Sequence, residues 1–195
     1  MSHEDTCRNL MSLLDELEAR RLPVMESIGL LLNMEKDYLY GRVATSKLLG
    51  LTERTTRTLV SKLKTVGARQ VLTKLEFKRF ELGDKLVLAV SGLDAQILEM
   101  VPKRVVEYRD FLVISLGEHD SLYLIGFAEN GSVSFPGAPE DFVPHISNEL
   151  IAGLGEKALI TVWSKYTPLK VEAAIITALA KMCYKYSGTK TSTSP

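Results

Sequence analysis

The stretch Val43-Ala44-Thr45-Ser46-Lys47-Leu48-Leu49-Gly50-Leu51-Thr52-Glu53-Arg54-Thr55-Thr56-Arg57-Thr58-Leu59-Val60-Ser61-Lys62-Leu63-Lys64-Thr65-Val66-Gly67 decides the reading of the fold. It divides at Gly50, which breaks one helical pattern before a second begins. Thr52 is placed to cap the second helix, and Glu53 puts a carboxylate in its first turn, where the helix dipole favours it. From Glu53 to about Val66, Thr56, Leu59, Val60 and Leu63 fall on one face, which predicts that they are buried. Gly67 is placed to close the helix as its C′ residue.

Two more helices are predicted ahead of this pair. Leu10, Leu13, Leu14 and Leu17 recur at helical spacing over residues 5 to 20, and Pro23 interrupts before Val24, Ile28, Leu31 and Leu32 continue over 24 to 35. After Gly67, residues 69 to 75 and 77 to 82 carry β-formers and read as two short strands, with Gly83-Asp84 as a turn. Residues 85 to 93 are ambiguous and lean to a short helix. The resulting order, helix, helix, glycine turn, helix, strand, strand, runs from residue 24 to 82.

Charge points to the same segment. The 195 residues hold 24 Lys+Arg and 24 Asp+Glu, a formal net charge of zero. Between Arg42 and Phe80, however, ten basic residues meet only Glu53 and Glu76, a local balance of +8. Residues 1 to 41 and residues 81 to 195 carry −4 each. A phosphate backbone meets the local field rather than the total. Arg54, Thr55 and Thr58 lie near the N-terminal end of the second helix, the part of a recognition helix that reaches base edges. Arg57, Lys62 and Lys64 on that helix, with Lys74, Lys78 and Arg79 beyond it, suit phosphate contacts, which give affinity without sequence information. The plainer alternative is a solvated basic face used for protein contact.

These residues carry a resemblance. "ATSKLLGL", a polar cap, "RTTRTLVSKLKTVG" and a following pair of strands resemble winged helix-turn-helix DNA-binding domains. Downstream, "VEYRD", "ENGSVSFPG" and "KVEAAIITALAKM" resemble an archaeal family in which a winged helix precedes a small α/β domain of unknown function. The chain departs from that family's pattern after Arg109-Asp110, where β-prone Phe111-Leu112-Val113-Ile114 replaces a segment rich in Ala and Gly. The resemblance implies an α+β protein: a winged helix-turn-helix domain over residues 1 to 95, a small α/β domain over 96 to 188 for dimerisation or effector sensing, and a disordered polar tail over 189 to 195. It implies a DNA-binding transcriptional regulator acting on double-stranded DNA as a homodimer, with a small-molecule effector for the second domain. The alternative is a protein-interaction module, or a small-ligand-binding protein, that does not bind DNA.

In the second half, Asn130-Gly131 between two β-prone runs predicts a hairpin over 123 to 135. Residues 141 to 152 read as a helix, Lys157 to Trp163 as a buried strand, and Pro168 to Tyr186 as a helix. The stretch Phe111 to Ile125 reads as β-rich, either lining a small pocket or serving as plain core. The first helix is either a dimerisation element or packs back onto its own domain.

No catalytic function is expected. GxGxxG, GxxxxGK[ST] and GxSxG are missing from the sequence. His119-Asp120, His145 and Cys183 have no metal-ligand spacing, Asp110, Glu118 and Asp120 read as solvated acids flanking a strand, and Gly153-Leu154-Gly155 as a tight turn. No cofactor or metal is expected. Cys7 and Cys183 form no CxxC pair and read as two reduced thiols. With no apolar run of membrane-spanning length and an acidic start at Met1-Ser2-His3-Glu4-Asp5, unlike a secretion leader, the expected location is cytoplasmic.

Overall fold

The structure is a computed structural model that describes residues 6–36, 39–117, 121–140 and 157–187. It is mixed α and β. Helix α1 (Thr6–Ala19) and α2 (Val24–Glu35) are followed by α3 (Arg42–Leu48) and α4 (Glu53–Leu63). A 3-10 turn (Ala68–Gln70) runs into a short α5 (Val71–Lys74), and then strands β1 (Glu76–Leu82) and β2 (Lys85–Ser91) form a hairpin. Next come α6 (Ala95–Lys103), α7 (Val105–Leu116), β3 (Leu122–Glu129), β4 (Ser132–Ser134), β5 (Lys157–Trp163) and α8 (Lys170–Ser187).

All five strands belong to one sheet in the order β1-β2-β5-β3-β4, with every neighbouring pair antiparallel. β2 pairs with β5 from Leu86↔Trp163 to Val90↔Leu159. Strands from before and after residue 95 therefore share one ladder. One face, with Leu88, Val90, Leu159 and Trp163, joins the main core beneath the helices. The opposite face carries Val87, Ala89, Ile160 and Val162 in a second, smaller cluster.

Helix α8 ties the molecule together. Val171, Ala173 to Ala180, Met182 and Cys183 are all buried, so the helix is apolar on nearly every side. Such a helix is stable only inside a core. It packs against α1 and α2 on one side and α7 on another. Cys7 at the start of α1 is disulfide-bonded to Cys183 near the end of α8, with Cα atoms 5.4 Å apart. The expectation of two reduced thiols is thus corrected: each cysteine sits on an apolar helix face, and the packing of α1 on α8 brings the two sulfurs together. Asp94 reinforces the same corner. Its carboxylate caps α6 through the Ile97 amide at 2.9 Å and accepts from the Cys7 amide at 3.1 Å.

Three local expectations change. Residues 69 to 74 are helical rather than a strand, with Leu75 extended as the chain leaves α5; Val71, Leu72 and Leu75 are the buried positions, a spacing that does not alternate as a half-buried strand would. Of residues 85 to 93, Lys85 to Ser91 form strand β2 rather than a helix, since Val87 to Val90 are buried in unbroken succession, as a strand covered on both faces requires. Phe111 to Ile114 lie in helix α7, where Tyr108, Leu112, Val113 and Leu116 are buried at helical spacing despite their β-branched neighbours.

Other expectations hold. The Asn130-Gly131 hairpin forms, with φ values of 50° and 77° at its two central residues. Both positive values are what a two-residue turn of that twist needs. The strand over Lys157 to Trp163 and the last helix form as read. The helix expected over 141 to 152 and the tail lie outside the described residues, as do Glu118, His119, Asp120, His145 and Gly153 to Gly155.

Candidate nucleic-acid interface

Helices α3 and α4 are the two helices that the sequence predicts as a helix-turn-helix. Gly50 stands between them at φ 66°, a left-handed conformation that suits glycine. The Thr52 hydroxyl accepts from the Thr55 amide at 3.1 Å, so the predicted cap is made. A buried hydroxyl pair staples the two helices: Ser46 Oγ donates to Thr56 Oγ1 at 2.9 Å. Leu59 and Leu63 bury beneath them. The link into α3 is held by Asn33 of α2, whose side chain accepts from the Tyr40 amide and donates to the Tyr40 carbonyl, both at 3.0 Å.

The far end of α4 is held from α1. Arg20 donates to the Thr65 carbonyl at 3.0 Å and to its hydroxyl at 2.7 Å. Glu16 accepts from the Gly67 and Ala68 amides at 3.0 and 3.2 Å, and pairs with Arg20. Gly67 has φ −77°, so it is not the left-handed helix stop expected of it; its amide is used to bind Glu16 instead. The sequence shows Glu16 and Arg20 only as an i, i+4 pair on a polar helix face, with nothing to reveal the remote partner.

This anchoring leaves the outer face of α4 clear. Arg54, Thr55, Arg57, Thr58, Ser61, Lys62 and Lys64 are all exposed. Among the described residues, no ion pair engages Arg54, Arg57, Lys62, Lys64 or Lys47 of α3. Thr58 donates to the Arg54 carbonyl at 3.1 Å, so toward solvent its hydroxyl presents lone pairs and its methyl group. Thr55 shares its hydroxyl with Thr52 at 2.9 Å.

Of the three cations beyond α4 that suit phosphate contacts, Lys74 lies off the hairpin and Arg79, though on β1, is turned toward the protein. Lys74 is exposed on α5, ahead of the hairpin. Arg79 does not join the free surface. Strand alternation puts Phe77 and Arg79 on the face toward α8, where Arg79 Nη2 donates to Glu172 at 2.8 Å and Nη1 to the Tyr40 hydroxyl at 3.1 Å. Its guanidinium also lies over the Tyr166 ring, 5.3 Å from the centroid. Burial acts against the Arg79 cation, but the Glu172 charge, Tyr166 and the hydrogen bonds to Tyr40 and Glu172 together outweigh it and raise its pKa. Burial and the same carboxylate push the Tyr166 hydroxyl up, keeping it a neutral donor. Lys78 points to the opposite face of β1 and is exposed. Arg42 and Arg69, also part of the basic segment, pair with Glu53 at 3.5 Å and Glu35 at 3.3 Å. Among the described residues, Arg54, Arg57, Lys62 and Lys64 along α4 and Lys47 on α3 are the cations of this segment left without an ion pair or other side-chain interaction.

No protein-family model, no curated protein and no solved structure matches this chain. The site must be judged on its own chemistry.

Among the described residues no group of three His, Cys, Asp or Glu side chains is placed to hold an ion, and Cys183 is taken up by the disulfide. Among the same residues no helix is long and apolar enough to cross a membrane. Within the stretch Phe111 to Ile125, Leu122 to Ile125 line a cleft of about 440 Å³, shared with Val105, Val106, Arg109 and the loop Pro136 to Pro139.

Proposed function

We propose that the chain binds double-stranded DNA through α4, as a transcriptional regulator of the winged-helix type. The observation that carries this reading is the outward face of α4. It presents four cations without ion-pair partners among the described residues, together with threonine side chains, on a helix anchored at both ends. Cations held near acids contribute little to a phosphate, because binding must first break the existing pair; these four avoid that cost.

Roles follow from position. Arg54, Thr55 and Thr58, nearest the N-terminus of α4, are placed for base edges. Arg can bond guanine, and a threonine whose hydroxyl proton is already committed favours a base donor or a thymine methyl. Arg57, Lys62 and Lys64 serve phosphates. Lys78 on β1 and Lys74 on α5 supply flanking contacts, with the β1–β2 hairpin in the place of a wing. Arg79 drops out, since it neutralises a buried carboxylate.

A homodimer, expected from the sequence, needs a face other than α1. Its stripe of Leu10, Leu13, Leu14 and Leu17 is buried within the chain. Val106 and Ile114 on α7 are exposed apolar side chains in the second half.

Selection from a pool of random duplexes tests the reading. Enrichment of a defined site supports a sequence-specific regulator. No retention of any duplex at moderate salt would leave the second reading, a ligand-binding protein without DNA binding, which a cavity beside α2 favours.

A further inference from the structure

A cavity of about 370 Å³ opens between the end of α2, strand β1 and the start of α8. That volume suits a small organic molecule. Leu32, Leu39, Phe77 and Leu169 give it an apolar wall.

Its polar wall is unusual. Glu172 is only 3% exposed, and a buried carboxylate is tolerated when its oxygens are hydrogen-bonded. The fold meets that need on one oxygen. Oε1 accepts from Arg79 and from the Tyr166 hydroxyl, whereas Oε2 has no hydrogen-bond partner. Such a group calls for an explanation. Arg79, on the same wall, commits one N–H to Tyr40 and one to Glu172. A guanidinium carries five. Lys36 lines the cavity as well, as do Glu76 and Lys78, whose charges offset each other. An acceptor short of a donor therefore stands beside donors short of an acceptor, with an apolar surface next to both.

We propose that this cavity binds a free α-amino acid with an apolar side chain. Its ammonium pairs with Glu172 Oε2 and its carboxylate with Arg79 and Lys36, while its side chain lies against Leu32, Leu39 and Phe77. Oε2 is closed to solvent, so reaching it requires the carboxylate to shift and its Oε1 bonds to Arg79 and Tyr166 to lengthen, a cost that the ion pair with the ammonium offsets. A simple acid would leave Oε2 unpartnered, and a simple amine would give the Arg79 and Lys36 donors no acceptor. α2 also carries Asn33, which fixes the link into α3, so an occupant bears on the helix-turn-helix pair. Only this last consequence rests on the DNA-binding reading.

The test is calorimetric titration of the full chain, without DNA, by L-leucine and L-phenylalanine. Phenethylamine and phenylpropionate serve as analogues that lack one charge each. The amino acids should bind, and each analogue should bind at least about tenfold more weakly, the usual loss for one charged hydrogen bond. Glu172→Gln should weaken binding. Should that variant fail to fold, Leu39→Glu, at a side chain 64% exposed at the cavity, leaves the buried pair untouched and sets a negative charge against the ligand carboxylate. It should weaken binding several-fold, as should Lys36→Ala. The proposal is overturned if phenylpropionate binds as tightly as phenylalanine, if Leu39→Glu and Lys36→Ala change nothing, or if neither amino acid binds at ~10 mM, weaker than an affinity of about 3 kcal/mol. DNA affinity measured with and without the amino acid is a separate readout, and its failure alongside intact binding counts against the DNA reading alone.

Discussion

Helices α4 and α8 use opposite strategies. α8 spends nearly all its side chains on the core, touching α1, α2 and α7, and is further tied by a disulfide. α4 buries Thr56, Leu59 and Leu63 and keeps its remaining surface polar and basic. One helix organises the fold, while the other is held by it. The contrast teaches where function should reside: changes to α8 should act through stability, and changes to the outer face of α4 through binding alone.

The largest test of this division is the disulfide. Cys7 and Cys183 are 176 positions apart, and closing so long a loop is worth up to about 5 kcal/mol by chain entropy. The double change Cys7→Ser, Cys183→Ser should lower the urea midpoint accordingly, as should reduction of the native protein. An unchanged midpoint would show that α1 and α8 are held by packing alone. Next in size is Ile176→Ala. Ile176 is fully buried in α8, so its truncation should cost ~2–5 kcal/mol. The matching change on α4, Thr58→Ala, should stay within ~0.5 kcal/mol. Comparable losses for the two would erase the contrast.

A smaller effect is expected where α4 is anchored. Arg20→Ala removes the donors to Thr65 and should cost ~1 kcal/mol. Amide exchange should quicken in the last turn of α4 more than in α8. Uniform quickening across both helices would mean that Arg20 supports the fold in general rather than the end of α4.

How far the sequence could be read follows the same divide. α1 to α4 were legible because each has an amphipathic stripe and a local stop, such as Pro23, Gly50 and the Thr52 cap. The Asn130-Gly131 hairpin was legible because its turn chemistry is local. β2 was not, since a strand covered on both faces loses its alternation and then resembles a short buried helix. The segment 69 to 75 misled through β-prone residues whose burial does not alternate. The basic face of α4 was visible as charge and spacing. The role of Arg79 was not: nothing near it in sequence marks Glu172, 93 positions away, as its partner. The disulfide was equally hidden, because two lone cysteines far apart say nothing about proximity until α1 packs on α8.

The least effect on stability belongs to the change that tests the central claim most directly. Arg57→Ala with Lys62→Ala touches neither the core nor any ion pair among the described residues, so folding should shift within ~0.5 kcal/mol. Binding to duplex DNA, measured by fluorescence anisotropy from low to moderate salt, should weaken on every sequence, and the salt slope should flatten by ~1 to 2 units. An affinity and slope equal to those of the unaltered protein, or no salt-sensitive binding by either, would contradict the assignment of DNA to the outer face of α4.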